Sequence, residues 1–498
     1  MKKKILAAIT MVAAAVLTLT ACGGSDSDKI TLKYWYTSDN DITVEKLAEK
    51  YMEDHPNITV ETYRMSDMST DLSAAASAQN FPDIFEGTDC DTALTNMYWM
   101  DISEYWDNDP ETKNLLPTVE EYGIGTYGTS ARFTVPHHYQ PTAFFIDRNV
   151  MKKLNLEMPS TDWTWKEMTD LVQKATGQFD DGIKYYGLGI YITLDSAYGI
   201  AAMPASAGKP VGEFGFDGVD FDLSFWATGE QEYADLMLSG YVAPTQGSME
   251  MEEWYGDFDA WFGYTARVAV ASEGLWTYQN LWGLKDEEGN EINQAEWGTD
   301  WVVYPIPTVL PGEEHNTIAY INPVGISTSC KHPEEAYDLM KFMTFGVDGW
   351  NARLDLYEND EITDEAGKPL KNLQMSTPIT MDEGVWARFK ALYPQDDRKP
   401  YWDAYFDSIQ RPTPFGWLFT AGYWNFCAEY FNMVDGVGIH DLVRKQGKQA
   451  SDYVEEATRQ ANYYHAEAML SYFGPDKYNI LSDEEIATYE AMVEEFTK

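Results

Sequence analysis

The chain has 498 residues and a formal net charge of −46, with 35 Lys and Arg against 81 Asp and Glu. That length can fill two or three cores, and 44% hydrophobic with 23% charged residues excludes disorder over most of the chain. A surface this acidic repels phosphate backbones, which excludes nucleic acid as a general partner.

The first segment is an address. Lys2, Lys3 and Lys4 precede an uncharged apolar run from Ile5 to Ala21, the pattern of a secretory signal peptide. The run ends in Leu19-Thr20-Ala21-Cys22 and passes into Gly23-Gly24-Ser25-Asp26-Ser27-Asp28. This resembles a bacterial lipobox, whose Cys receives a diacylglycerol and becomes the mature N-terminus. A cleaved signal with a chance Cys is the alternative. The expected segments are a signal peptide at 1–21 and a lipidated Cys with its tether at 22–28. Each buried acyl carbon adds about 0.8 kcal/mol to such an anchor. No second apolar run approaches membrane length, so the anchor is the expected membrane contact. Cys90, Cys330 and Cys427 remain, widely spaced and without metal-type spacing. Buried thiols, or one disulfide with one thiol left over, both fit.

Beyond the tether, strands and helices alternate. Ile30 to Tyr36 is a β-rich run, and 42–54 an amphipathic helix with Val44, Leu47, Ala48 and Tyr51 on one face. Ile58 to Tyr63 alternates as a strand, and Asp67 to Ala78 is Ala-rich and helical. A short strand at Pro82 to Phe85 and a helix from about Asp91 follow. Further strands are expected at 133–136, 142–147, 185–190, 268–271, 301–306 and 325–328. Helices between them include 165–174, 276–282 and 333–345. Strands separated by helices imply βαβ units, parallel sheets and an α/β architecture. After about 383 the pattern is helical, at 383–392, 450–472 and 482–496. Residues 286–290 and 364–368 read as surface hairpin turns.

These pieces, in this order, resemble the extracellular solute-binding lipoproteins of bacterial sugar ABC importers, the group that includes maltodextrin-binding proteins. Phe81-Pro82-Asp83-Ile84 is similar to the family's "x-P-D-I" strand. Val135-Pro136 with Phe144-Phe145-Ile146-Asp147-Arg148 is similar to its first interlobe crossover. Trp163-Thr164-Trp165-Lys166-Glu167 resembles a "T-W-x-E" helix start, Gly274-Leu275-Trp276 a "G-x-W", and Tyr304-Pro305-Ile306-Pro307 a "P-x-P" strand. Gly325-Ile326-Ser327 and Lys331-His332-Pro333-Glu334-Glu335-Ala336 resemble a further strand and its helix. One departure stands out: the usual Gly-Gly before that strand reads Ile321-Asn322-Pro323 here.

The resemblance implies a type II periplasmic-binding-protein-like fold of two α/β lobes. Each lobe would be a sheet flanked by helices, with hinge crossovers near 147 and 315, a return near 350, and a helical C-terminal part. Lobe 1 would be 29–147 plus 316–350, and lobe 2 would be 148–315 plus 351–498. It further implies that a carbohydrate is captured between the lobes and delivered to the transmembrane subunits of an ABC permease. The implied protein is a monomer, needs no cofactor or metal, and sits lipid-anchored on the outer face of the cell membrane.

Sugars present hydroxyls and apolar C–H faces, so their sites pair carboxylates and amides with aromatic platforms. Carried onto this sequence, the first lobe offers Tyr36, Thr37, Ser38 and Asp39, then Glu86 and Asp89, then His138, Tyr139 and Gln140. Asn322 lies in the altered rim. Trp276, Trp424 and Tyr191 are the second-lobe contacts. Structural alternatives remain for Asp89 as a helix N-cap and His138 as a hydrogen-bonded strand end, and Trp35 reads equally as core or pocket. Aromatics at 14%, with 17 Trp, favour an oligosaccharide.

No G-x-S-x-G, H-E-x-x-H or Walker-type loop is present, and no two carboxylates are singled out as a glycosidase pair. The expectation is a binding protein that makes and breaks no bond. A receptor for a polyamine or peptide is the alternative, and an exported carbohydrate-active enzyme a more distant one.

Overall fold

Ile30–Tyr36 buries Leu32, Tyr34 and Tyr36 and leaves Thr31, Lys33 and Trp35 on the other face, the period-2 pattern of a half-covered strand. It is the first strand of a computed structural model that describes residues 29–37, 43–87, 90–116, 119, 131–190, 220–275, 297–363, 376–414 and 420–497. In chain order the strands are β1 (Ile30–Tyr36), β2 (Ile58–Arg64), β3 (Ile84–Glu86), β4 (Thr134–Asp147), β5 (Gly177–Gln178), β6 (Lys184–Ile190), β7 (Val268–Gly274), β8 (Trp301–Tyr304), β9 (Thr317–Ile326) and β10 (Pro412–Pro414). They form one sheet in the order β2-β1-β3-β9-β4-β7-β6-β5, with β10 paired to β9 and β8 to β4.

The two halves of this sheet meet within β4. Residues 134–141 run antiparallel to β9, and residues 142–147 run antiparallel to β7 and β8. Thr142 and Thr317 mark the changeover, where Thr317 Oγ1 donates to the Thr142 carbonyl at 2.9 Å. The parallel sheets expected from the alternating pattern are only partly present. Pairs β1–β2, β1–β3, β6–β7 and β9–β10 are parallel, but every pair made by β4, and β3 with β9, is antiparallel. The long strands cross the sheet against its βαβ units and therefore run opposite to them.

Helices cover both halves. Val44–Asp54 buries the expected face of Val44, Leu47, Ala48 and Tyr51. Trp165–Ala175 starts on a capping box, in which Thr164 and Glu167 satisfy each other's backbone N–H groups. Met68–Ser77 is capped by the Asp67 side chain. Trp35 stays half-buried, its ring 4.7 Å from that of Tyr63.

The C-terminal part is helical, with Glu383–Ala391, Lys399–Ser408, Val454–Phe473 and Asp483–Thr497 as its main helices. It does not lack strands, as the pattern after 383 suggested: Pro412–Pro414 pairs with Thr317–Ala319. Much of it packs against the first strands and their helices. Arg353 Nε donates to Thr43 Oγ1 at 3.1 Å, and Trp350 meets the Phe389 ring edge-on. Phe473 stacks on Phe133 at 5.8 Å, and Tyr478 Oη donates to the Trp99 carbonyl at 3.0 Å. A separate core joins Phe221, Trp226 and Ala234 to Phe426, Phe431, Val443 and Ala461. Cys330 and Cys427 are free thiols, and Cys427 is buried. The expected signal segment, tether, helix 276–282 and turns 286–290 and 364–368 lie outside the described residues.

Candidate functional site

Strand β4 carries two prolines, and neither can donate to a ladder. Pro136 faces Pro323 of β9, so the pair exchanges no N–H bond at all. Just beyond, the register slips between His137 and Gln140, and His138 takes a positive φ of 53°. This is a β-bulge, a device that re-aims side chains near functional sites, and an imidazole residue with positive φ stores strain there.

The bulge sets a polar cluster beside the junction of the two halves of the sheet. Glu86, the last residue of β3, is fully buried. Its Oε2 accepts from the Thr37 backbone N–H at 2.7 Å, and its Oε1 from Asn322 Nδ2 at 2.8 Å. Burial pushes its carboxyl up, but the charges of His137 and His138 with these two hydrogen bonds outweigh it. The result is a carboxyl below its ordinary range. His138 lies 3.1 Å from Ser376 Oγ through Nδ1 and 3.4 Å from Gln140 Nε2 through Nε2. Gln140 Oε1, Thr37 Oγ1 and Thr377 Oγ1 are buried without a hydrogen-bond partner. Unpaired buried acceptors of this kind are costly in a closed protein and are suited to ligand hydroxyls.

The sequence matches the model of the bacterial extracellular solute-binding protein family over residues 36–345. The chain belongs to this family. No curated protein matches it in sequence. Among solved structures it is similar to the ABC substrate-binding protein Lmo0181 from Listeria monocytogenes in complex with cycloalternan. That likeness has a TM-score of 0.58 at 16% identity and covers 87% of this chain and 98% of the other. It is also similar to the sugar-binding protein MalE from Xanthomonas citri, with a TM-score of 0.60 at 13% identity over 88% and 98% of the two chains. A sugar transporter from Rhizobium etli in an open conformation gives 0.61 at 17% identity over 86% and 98%. These likenesses establish the two-lobe α/β fold with its helical C-terminal part.

In this solute-binding protein the cluster unites four of the expected site residues: Glu86, His138, Gln140 and Asn322. Tyr36 is buried on β1, next to Thr37. Tyr139, expected at the rim, is instead fully buried and donates its hydroxyl to the Ile409 carbonyl at 2.5 Å. The bulge turns it inward as it turns His138 toward Ser376. Trp424 stands on the short helix Tyr423–Phe426, which belongs to the core shared with Trp226. It is 42% exposed while Tyr423 and Phe426 are buried. Asp39, Asp89, Tyr191 and Trp276 lie outside the described residues.

Sequence reasoning missed His137, Ser376 and Thr377. His137 is the cross-strand partner of Asn322, a pairing that the resemblance does not carry. Ser376 and Thr377 reach the cluster from far along the chain, and only the Thr377 N–H bond to the Tyr139 carbonyl reveals why. Among the described residues no group of three His, Cys, Asp or Glu is placed to hold a metal ion. No helix among them is long and apolar enough to cross a membrane.

Proposed function

We propose that this chain is the lipid-anchored receptor of a bacterial ABC importer and captures a carbohydrate, in particular an oligosaccharide, between its lobes. The observation that carries the reading is the polar cluster of Glu86, Asn322, His138 and Gln140 at the β4 bulge, with buried acceptors left for hydroxyls. Structural neighbours bound to cycloalternan, tagatose and mannobiose support the same ligand class. Trp424 supplies an exposed ring for stacking, and Tyr36, Asp39, Asp89, Tyr191 and Trp276 complete the proposed cleft.

In this reading the lobes exchange between open and closed forms, and ligand that touches both shifts the population to the closed one. The closed form engages the permease subunits as a monomer, and the sugar leaves intact. The lobes expected from the sequence are 29–147 plus 316–350 and 148–315 plus 351–498. Packing of Trp350 on Phe389 and Phe473 on Phe133 supports moving 351–411 and 466–489 to the first lobe. Cys22 holds the protein on the extracytoplasmic face of the cell membrane, and the family's extracellular character supports that side.

The test is thermal melting against neutral oligosaccharides, monosaccharides, polyamines and peptides. A ligand at 100 times its Kd adds about 2.7 kcal/mol. A shift confined to one oligosaccharide family, with the sugar recovered unchanged, is expected. A shift with a polyamine or peptide alone would keep the fold and overturn the ligand class. Cleavage of the glycan would make the chain an enzyme.

A further inference from the structure

A second concavity lies on the other end of the β1–β3–β9 sheet. The proposed cleft uses Tyr36, Glu86 and Asn322. The concavity is lined instead by Thr31 and Lys33 of β1, Asp83 before β3, and Ser327 to Ser329 beyond β9. Lys33 and Asp83 stand three positions from Tyr36 and Glu86, and Thr31 and Ser327 five positions from Tyr36 and Asn322, which at about 3.3 Å per residue sets the two sites roughly 10 to 16 Å apart. It is also on the other face of β1, because Lys33 and Thr31 alternate with the buried Leu32 and Tyr34. Its volume is about 770 Å³, within the size range of small-molecule sites.

We infer that this concavity is a second ligand site, for an acidic saccharide: a sugar carrying a carboxylate or a phosphate. The charge argument comes first. In a chain of net charge −46, Lys33 and Lys331 line one pocket, and neither forms an ion pair with a carboxylate among the described residues. Lys33 Nζ donates to the Asn80 side-chain carbonyl instead. The one carboxylate in the lining, Asp83, accepts from the Lys33 backbone N–H at 2.9 Å, and its single negative charge is outnumbered by the two lysines. His332, at the start of helix Pro333–Met343, adds an imidazole to the lining.

The ring argument is independent of charge. Phe81 and Tyr98 form one wall, with centroids 4.7 Å apart and planes tilted by 49°. Such a wall suits the apolar face of a pyranose, while the amides of Gln79 and Asn96 and the Thr328 and Ser329 hydroxyls suit its oxygens. A bare anion would use the lysines and leave the rings idle. A neutral sugar would use the rings and leave the lysines idle.

The site stands apart from whatever the cleft binds, and the experiment keeps them separate. Trigalacturonate, glucose 6-phosphate, maltotriose and inorganic phosphate are titrated calorimetrically into the full chain, into the Lys33→Gln/Lys331→Gln variant and into Asn322→Ala. Both lysines lack ion pairs, so the double variant keeps its fold and its cleft. Trigalacturonate or glucose 6-phosphate should bind the full chain, at least tenfold more weakly to the lysine variant, and unchanged to Asn322→Ala. Binding untouched by the lysine changes, or lost with Asn322→Ala, would overturn the site. So would phosphate matching glucose 6-phosphate, maltotriose competing equally, or no acidic sugar binding at millimolar concentration.

Discussion

Asn322 reaches across from β9 to Glu86 on β3, its Nδ2 donating to Oε1 at 2.8 Å. The other Glu86 oxygen accepts from Thr37 N–H, so one buried carboxylate ties β9 and the loop after β1 to the end of β3. Both of its oxygens are engaged within the protein. Glu86 therefore positions the cleft, and Asn322 and Gln140 are the groups with capacity left for ligand.

Replacing Glu86 by Ala should cost about 3 kcal/mol, because it leaves the Thr37 N–H and the Asn322 amide without their acceptor and removes the negative charge facing His137 and His138. The sign of the pH effect follows from a carboxyl held below its ordinary value. Its contribution is present above the unfolded carboxylate range and fades as pH falls through the folded value. Urea midpoints of the parent and of Glu86→Gln should converge on acidification. A gap that stays constant down to pH 3 would show that the charge contributes nothing.

A second buried pair offers a cleaner cycle. Arg444 grips Glu230 with two bonds, Nε to Oε1 at 2.7 Å and Nη2 to Oε2 at 2.8 Å, and His440 lies 3.1 Å from Oε1. Burial opposes the charge of Glu230, yet His440 and Arg444 hold its carboxyl down at about 2. Glu230→Leu alone strands a buried guanidinium and should cost about 3–5 kcal/mol. The Glu230→Leu/Arg444→Met double change should recover most of that, since both desolvated charges leave together. The cycle is read from denaturant midpoints, and additive losses would show that the pair is not coupled.

Asp147, the last residue of β4, shows the opposite electrostatics. Its Oδ1 accepts from the backbone N–H groups of Asn149 and Asp300 at 2.9 and 3.0 Å and caps the helix Arg148–Lys153. Oδ2 is buried without a partner, and burial pushes the carboxyl up to about 6. A raised acid is proton-hungry in the folded state, so its stability contribution falls as pH rises from about 4 to 6. Asn caps a helix as well as Asp does and has no charge to bury. Asp147→Asn should therefore raise stability at pH 8, by up to about 3 kcal/mol, and leave it unchanged at pH 4. Equal effects at both pH values would sink this account.

The elements that could be seen in the sequence are those whose information is local. The capping box Thr164–Glu167, the alternation of Ile30–Tyr36 and the buried face of Val44–Asp54 are written within a few residues. Strand β4 was not, because Pro136 and Pro141 read as breaks and divide it into two strands. Facing Pro136 with Pro323 removes a competing donor on both sides, so the strand continues through a place where neither chain has an N–H to lose. β9 was seen only at its end for the same reason, with Asn322-Pro323 in its middle. The cluster follows this division. Glu86 and His138 were reachable through motifs, whereas Ser376 arrives from a segment with no signal of its own, and its role exists only through a contact made in three dimensions.

Trp424 gives the sharpest test of the proposed carbohydrate reading. Gly422 precedes its helix at φ +79°, and a Cβ there would lie 2.3 Å from the Tyr464 carbonyl oxygen. Glycine thus lets the chain turn tightly against helix Val454–Phe473, and the turn sets Trp424 outward while Tyr423 and Phe426 go into the core. Removing an exposed ring costs the unliganded fold little, whereas losing a stacking platform removes about 1 kcal/mol or more from binding. Trp424→Ala should leave the ligand-free Tm within about 1 °C and weaken oligosaccharide affinity about tenfold by calorimetry. Gly422→Ala should do the reverse in order of severity, destabilising the fold by about 1–3 kcal/mol and weakening binding only as the ring shifts. An affinity unchanged in Trp424→Ala would remove this ring from the site, and the platform would then have to come from elsewhere in the second lobe.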